Sequence, residues 1–320
     1  MTATRLRVQA VDRTLELGER PWLMGIVNAS PDSFSDGGRD PSHDAQLSLA
    51  AELLAAGADI VDIGGESAST GPPPVDPEEE IERVVPLVER VAGELGAIVS
   101  VDTYKPAVAR AAIAAGARIV NDVSGLRDPQ LAEICAQTGA ALVLMHTRAA
   151  PRQRMQDPAM YEDITAEVLA FLRGRMQVAV DLGVSPEQLF VDPGPDFAKT
   201  PAQAVRLLAE VGRLHELGRP LLMAISRKDF IGALTGRAPR ERLAGTLAAL
   251  AHGVRQGAHI FRVHDVAAAA DFLAVYMALS GESETDPGLV LAEELRHDRQ
   301  SLAPPPERAP AGGDVGRPRR

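Results

Sequence analysis

Gly57-Ala58-Asp59-Ile60-Val61-Asp62 sets out a phrase that the chain repeats along its length: a glycine, a short apolar run, then an abrupt polar residue. Gly96 leads through Ile98 and Val99 to Asp102, Gly116 through Ile119 and Val120 to Asn121, and Gly139 through Leu142 and Leu144 to His146. Gly183 leads to Phe190, Val191 and Asp192, Gly218 to Leu221, Leu222 and Ser226, and Gly257 to Ile260, Phe261 and Arg262. Ahead of all these, the run from Trp22 to Val27 ends at Asn28. Short runs that are apolar throughout read as strands buried on both faces, the mark of a parallel sheet covered by helices. Eight of them, each ending in a polar residue on one side, predict an α/β fold, a (β/α)8 TIM barrel. Such barrels carry their active sites at that end.

The intervening segments have helical period. Ile81, Val84, Val85, Val88, Val91 and Leu95 recur at helical spacing, as do Val205, Leu208, Val211 and Leu214, and Leu243, Leu247, Leu250 and Val254. Helix starts are signalled by a capping residue followed by proline at Asp40-Pro41, Asp76-Pro77, Asp128-Pro129, Asp157-Pro158 and Thr200-Pro201. Glu78, Glu79 and Glu80 fall where a helix dipole favours negative charge. The repeated glycines fall just past helix ends, where a left-handed residue closes the last turn.

A barrel of this type takes ~250 residues, and the repeat runs from about Trp22 to Leu279. Residues 4–20 read as a two-stranded hairpin ahead of the first strand. The barrel domain is placed over 1–280 and a Pro/Arg/Gly-rich tail, expected to be disordered, over 281–320. Within that tail Leu289 to Leu295 is expected to add a turn or two of helix. The formal net charge of −11 argues against a general polyanion binder, so no nucleic-acid partner is expected. The single cysteine, Cys135, falls on the fourth helix as a small core residue and excludes a disulfide within one chain. No signal segment, no apolar run of about 18 residues and no lipidation motif is read, which makes a reducing cytoplasm the expectation and excludes a membrane partner. The basic residues are almost all arginine; the lysines are Lys105, Lys199 and Lys228, and each follows a strand end. Lysine offers a compact, rotatable point charge that a guanidinium does not.

The strand-end loops carry the candidate chemistry. Asn28 opens a long loop of small polar residues closed by Gly37-Gly38, a form suited to a mobile lid. Its amide oxygen suits a hard cation, or its NH2 a phosphate. The second loop, Asp62 to Pro74, holds Gly64, Gly65, Glu66, Ser67 and Pro72-Pro73-Pro74. Asp102, Asn121 and Asp192 supply carboxylate, amide and carboxylate from three strands, a set that suits a flat heterocycle rich in N–H donors. The last two strands end in Ser226-Arg227-Lys228 and Arg262-Val263-His264-Asp265. Four cation candidates converge where such barrels commonly bind phosphate, so an anionic ligand is expected there. His264 can serve there either as a neutral donor or as a cation.

Several strings resemble the dihydropteroate synthase family. They are Met24-Gly25-Ile26-Val27-Asn28 with Pro31-Asp32-Ser33-Phe34-Ser35-Asp36-Gly37-Gly38, Asp62-Ile63-Gly64-Gly65-Glu66-Ser67, Ser100-Val101-Asp102-Thr103, Asn121-Asp122-Val123-Ser124-Gly125, Leu144-Met145-His146, Asp192-Pro193-Gly194, Ser226-Arg227-Lys228 and Arg262-Val263-His264-Asp265-Val266. The likeness covers about residues 20–280 in the family's order. It implies condensation of 7,8-dihydropterin-6-ylmethyl diphosphate with p-aminobenzoate, with release of pyrophosphate. By that likeness Asp102, Asn121, Asp192 and Lys228 would hold the pterin, with Met145 lining its pocket and Asp62 among the substrate contacts. Asn28, Arg262 and His264 would hold the diphosphate, with Mg²⁺ at Asn28. Asp32, Phe34 and Phe197 would build the p-aminobenzoate site. Asn28, Asp102, Lys228, Arg262 and His264 would be the catalytic set. The resemblance also implies a homodimer and sensitivity to sulfonamides.

The chain departs from the family pattern in places. The family's Glu-Ser-Thr-Arg-Pro-Gly is here Glu66-Ser67-Ala68-Ser69-Thr70-Gly71, so Ser69 stands at an expected arginine. Its Asp-Pro-Gly-Ile-Gly-Phe-Gly-Lys-Thr is here Asp192-Pro193-Gly194-Pro195-Asp196-Phe197-Ala198-Lys199-Thr200. Ala204, Ala224 and Asp229 replace an asparagine, a glycine and a serine. These departures keep a second reading in view, a pterin-binding paralogue that uses another amine or does no chemistry. A third, methyl transfer from a pterin to a corrinoid, is disfavoured by the cation cluster.

Overall fold

The apolar runs pair side by side as parallel strands, and the periodic segments cover them. The computed structural model describes residues 3–29, 43–66, 74–292 and 295. A hairpin of β1 (Leu6–Ala10) and β2 (Arg13–Leu17) precedes β3 (Trp22–Asn28). Then come α1 (His43–Ala55), β4 (Ile60–Gly64), α2 (Pro77–Gly93), β5 (Ile98–Asp102), α3 (Pro106–Ala114), β6 (Ile119–Asp122) and α4 (Gln130–Thr138). The second half runs β7 (Ala141–Met145), α5 (Ile164–Asp181), β8 (Leu189–Asp192), α6 (Pro201–Ala209), β9 (Leu222–Ala224), α7 (Asp229–Thr235), α8 (Leu243–Arg255), β10 (Ile260–Val263) and α9 (Val266–Ser280). The eight barrel strands lie in the order β8-β7-β6-β5-β4-β3-β10-β9. A parallel bridge from Val191 to Leu221 closes the ring. The expected barrel and hairpin are both present.

Local signals explain most boundaries. The repeated glycines all carry positive φ, from +63° at Gly96 to +116° at Gly116, so each turns the chain from helix to strand without a Cβ penalty. Thr200 caps α6 with a full capping box. Asp157-Pro158, by contrast, starts no helix. Asp157 Oδ1 accepts from Ala159 N (2.9 Å) in a local turn, and α5 begins later, where Asp163 Oδ1 accepts from Ala166 N (3.0 Å). The helix expected through Leu214 stops at Ala209 and continues as a 3-10 stretch, Val211–Leu217. The change falls at Gly212, a poor helix former whose Cα is pressed against Gln256. Asp40-Pro41, Asp32, Phe34, Ser69 and the tail after 295 lie outside the described residues. Of the helix expected over 289–295, the described residues hold one turn-like bond, Leu295 N to Ala292 O (3.0 Å), and no α-helix.

Alternation along the strands decides what fills the barrel. Met24, Ile60, Ile119, Val143, Phe190, Leu222 and Ile260 form one buried cluster with Val8, Ala10, Leu15 and Leu17 of the hairpin. The hairpin is thereby a plug on the N-terminal end, tied down by Val11 N to Gly139 O (2.7 Å) and His259 to Thr4 O (2.9 Å). The residues one step along, such as Val61, Val99, Val120, Leu142, Val191 and Phe261, pack outward on the helices in a second cluster. Cys135 is buried in that outer layer, and burial pushes its thiol up to about 12.

One close approach gives a test of this packing. A Cβ on Gly253 of α8 would lie 2.5 Å from Phe261 Cε1 of β10 and 2.9 Å from Met223 Sδ of β9. Gly253→Val is expected to destabilise the chain by about 1–3 kcal/mol through overpacking. Thermal unfolding checks this, and an unchanged melting temperature would show that α8 does not lie so close to the barrel.

Candidate active site

Two residues beyond the apolar inner layer, on the same inward face, the strands change character. Ile60 is followed by Asp62, Ile98 by Ser100, Ile119 by Asn121, Phe190 by Asp192 and Ile260 by Arg262. Period-two geometry puts all of these side chains inside the barrel. They meet there. Arg262 Nε donates to Asp62 Oδ2 (2.6 Å), Arg262 Nη2 to Asp102 Oδ2 (2.8 Å), and Asn121 Nδ2 to Asp62 Oδ2 (3.2 Å). Asp62 Oδ1 and Ser100 Oγ are buried with no partner among the described residues. Unpaired acceptors in a dry interior are costly, so this layer is built to receive donors.

Burial also governs ionisation. Burial raises the Asp102 carboxyl; Arg262 opposes the rise and Asp62 adds to it. Burial raises Asp192 to about 6, held back by the Gly194 N–H, which donates at 2.6 Å, and by Lys228. Lys228 is lowered by burial, with Asp196 and Asp192 opposing. Although burial acts to lower the Arg262 pKa, Asp62 and Asp102 raise it, so the guanidinium stays charged.

One further step brings the strands to the mouth. Asn28, Asp102, Met145 and His264 stand at this level, and β-pairing sets Asn28 beside Gly64, Gly64 beside Asp102 and Asp102 beside Asn121. His264 is exposed, and its backbone N and Nδ1 both contact Ser226 Oγ (3.2 and 2.9 Å). The atoms crowding its ring, then Arg262 and Arg227, lower it to about 4, so it is neutral at pH 7. Arg227, at φ +58°, forks onto Asp265 (2.8 and 3.2 Å). The four expected cations therefore resolve into two arginines with carboxylate partners, a neutral histidine, and Lys228, whose Nζ lies 4.7 Å from the Phe197 ring centre. A cavity of about 360 Å³ opens over this level, lined among others by Asp102, Tyr104, Arg152, Phe197 and Lys228.

Two groupings around the mouth escape a reading by strand ends. Lys199 is fully buried, with Nζ 2.8 Å from His146 Nδ1 and donating to Gly194 O (2.8 Å) and Phe197 O (2.9 Å), while His146 O lies farther off at 3.2 Å. Burial and then Lys199 push His146 down to about 2, so the ring accepts at Nδ1. Glu66 takes Val75 N (2.8 Å), Tyr104 Oη (2.7 Å) and Arg152 Nη1 (2.6 Å), with Lys105 Nζ at 3.3 Å. Lys105 reaches on to Glu80 (2.5 Å), which is buried rather than serving only the helix dipole. The scarcity of lysine flagged Lys105 and Lys199, but nothing in the spacing flagged Arg152, on the loop after β7.

The raised pKa of Asp192 gives a pH signature. The folded chain holds a proton there that an unfolded carboxyl, near 3.8, has released, so the stability it contributes is present below that value and lost as pH rises through about 6. Between about pH 4 and 7 the wild chain is expected to lose melting temperature more steeply than Asp192→Asn. Parallel curves would show an ordinary carboxyl.

The geometry has counterparts among known proteins. The family described as pterin binding enzyme matches residues 24–264, from β3 to the residue after β10. A dihydropteroate synthase of Synechocystis is 42% identical over 272 residues, covering 84% of this chain and 94% of that protein. The dihydropteroate synthase of Xanthomonas albilineans, solved with 4-aminobenzoic acid, superposes with a TM-score of 0.79 at 44% identity, over 87% of this chain and 99% of that one. That of Yersinia pestis, solved with a sulfonamide drug complex, gives 0.81 at 38% identity, over 87% and 100%. Identity at that level across nearly the whole barrel, including the strands that meet at Arg262, leaves one conclusion: the chain belongs to the dihydropteroate synthase family of pterin-binding enzymes.

Proposed function

We propose that the chain joins 7,8-dihydropterin-6-ylmethyl diphosphate to p-aminobenzoate, giving 7,8-dihydropteroate and pyrophosphate. The observation that carries this reading is the buried layer of Asp62, Asn121, Asp192 and Arg262 beneath a mouth that holds Lys228. Asp62 Oδ1 is an acceptor without a partner among the described residues, and Asp102 and Asp192 are carboxylates facing the same space. Together they suit the amino and ring N–H groups of a pterin, with Asn121 alongside and Met145 as an apolar wall. Arg262 spends Nε and Nη2 on Asp62 and Asp102. Nη1 is the nitrogen this reading turns toward the diphosphate, with neutral His264 as a donor beside it.

The chemistry follows from those charges. The C–O bond to pyrophosphate breaks, and the electron pair leaves with it toward Arg262 and Lys228. Asp192, raised only to about 6, is ionised at neutral pH, and Asp102, raised by burial to about 7 beside Arg262, is partly so; both favour the positive charge that develops on the pterin methylene. The arylamine nitrogen, seated against Phe197, attacks that carbon, and its proton passes to the departing pyrophosphate or to solvent water. Asp32 and Phe34 belong to the same reading and lie outside the described residues. A magnesium ion completes it: Asn28, a hard oxygen donor at the end of β3, would hold it, with the diphosphate and water as its other partners. When bound, the ion would offset charge on the leaving group.

Two further parts of the reading concern the whole molecule. Cys135 is unpaired and buried, which suits a reducing cytoplasm. No helix among the described residues is long and apolar enough to cross a membrane. Two copies pair through the outer helices, where Leu234 of α7 and Leu243 of α8 are exposed. Light scattering is expected to give twice the chain mass, and the monomer mass at working concentration would remove the dimer.

Activity is tested by mass spectrometry of dihydropteroate made from the pterin diphosphate and p-aminobenzoate with magnesium. Lys228→Ala is expected to lower the rate by about 10²–10³-fold, the usual cost of one preorganised charge. Chelation should abolish turnover, and added magnesium should restore it. Pterin binding without any product in the wild chain would replace this reading with a binding paralogue.

A further inference from the structure

The turn after β8 holds a carboxylate that the condensation does not require. Where the family pattern has its second and third glycines, this chain has Asp196 and Ala198, and both keep a left-handed backbone, at φ +69° and +52°. A Cβ is disfavoured there, although aspartate and asparagine tolerate it better than most residues. A side chain held in such a conformation beside a functional cavity points to a use for that side chain.

Its surroundings indicate the use. Asp196 Oδ2 accepts from Asp229 N (2.5 Å), while Oδ1 is buried without a partner among the described residues. Asp196, Phe197, Lys228 and Asp229 line the same cavity. Lys228 lies over the Phe197 ring; burial raises the Asp196 carboxyl, and Lys228 and the Asp229 N–H oppose the rise. Of the cavity's arginines, Arg152 is engaged by Glu66, Arg227 by Asp265, and Arg154 bonds Gln156. An arylamine seated on Phe197 therefore meets a lysine already shared between Asp192 and Asp196, with Asp229 beside it.

We propose that Asp196 sets the charge selectivity of the second-substrate pocket: its carboxylate weakens the hold on an amine that bears a carboxylate and leaves a neutral arylamine largely unaffected. The proposal rests on the reading that the arylamine sits beside Phe197. Charges a few ångströms apart in a partly dry site change affinity by roughly tenfold or more. The chain should accept neutral aryl amines with less discrimination than family members whose turn carries glycine.

Two variants test it. Asp196→Gly fits the backbone without strain, and Asp196→Asn keeps the acceptor for Asp229 N while removing the charge. Binding of p-aminobenzoate and of neutral p-aminobenzamide is measured by calorimetry with the pterin and pyrophosphate present, alongside KM and kcat for both amines. In both variants p-aminobenzoate is expected to bind about tenfold tighter, with a matching fall in KM, and p-aminobenzamide to move less than about twofold. Unchanged p-aminobenzoate affinity, an equal shift for both amines, or no p-aminobenzoate binding by any form would overturn the proposal. Charge-selective binding without product would support it while defeating the synthase reading; product with no response at Asp196 would do the reverse.

Discussion

Arg262 is the contact on which the site depends. It rises from β10 and is gripped by Asp62 of β4 (2.6 Å) and Asp102 of β5 (2.8 Å), with Asn121 of β6 completing the chain through Asp62. Carboxylates in a barrel interior cannot stay ionised without a cation or a set of donors. One guanidinium therefore allows two strand ends to carry charge and fixes their distance from β10. A buried pair of this kind contributes little net stability, because desolvation offsets most of the attraction. Its effect lies in geometry: the planar fork sets where both carboxylates point, and hence the shape of the space they enclose.

That arrangement needs a dry floor. The hairpin supplies it by packing Val8, Ala10, Leu15 and Leu17 against the inner apolar layer. With the N-terminal end plugged by these side chains, the polar layer opens toward the cavity at the strands' C-terminal mouth. The raised carboxyls of Asp102, Asp122 and Asp192 and the lowered Lys228 all have burial as their first cause. A segment ahead of the barrel thus bears on the chemistry at its far end through the dielectric, without touching it.

The same alternation explains what could be read in advance. The glycine, apolar run and polar residue of each repeat encode a helix exit, a strand and an inward-facing functional side chain, all of them local. Asp62, Asp102, Asn121, Asp192 and Arg262 were legible for that reason. Their pairings were not. Arg262 and Asp102 are 160 positions apart, and only closure of the ring makes them neighbours. The residues of the cation cluster after β9 and β10 were legible too, but not their carboxylate partners, since Asp265 and Asp62 reach two of its members across loops or strands. Arg152 belongs to a loop with no strand-end signature, and its contact with Glu66 spans 86 positions.

The three lysines show how far composition can carry an argument when geometry is added. In a chain whose cations are nearly all arginine, each lysine occupies a place that a guanidinium would fill badly. The Lys199 amine nitrogen sits inside the fold within reach of His146 Nδ1 and the carbonyls of Gly194 and Phe197, three directions that a planar fork cannot match. Lys105 is wedged among Val75 O, Glu80 and Glu66. Lys228 places a compact charge over Phe197 between two carboxylates. Lys199 also holds the turn that carries Asp196 and Phe197, so the strained backbone at Asp196 is braced from beneath by a buried lysine. The pocket's unusual carboxylate and the lysine that anchors its backbone are parts of one arrangement: the second bonds the carbonyls on either side of the first, while Asp229 N holds its side chain.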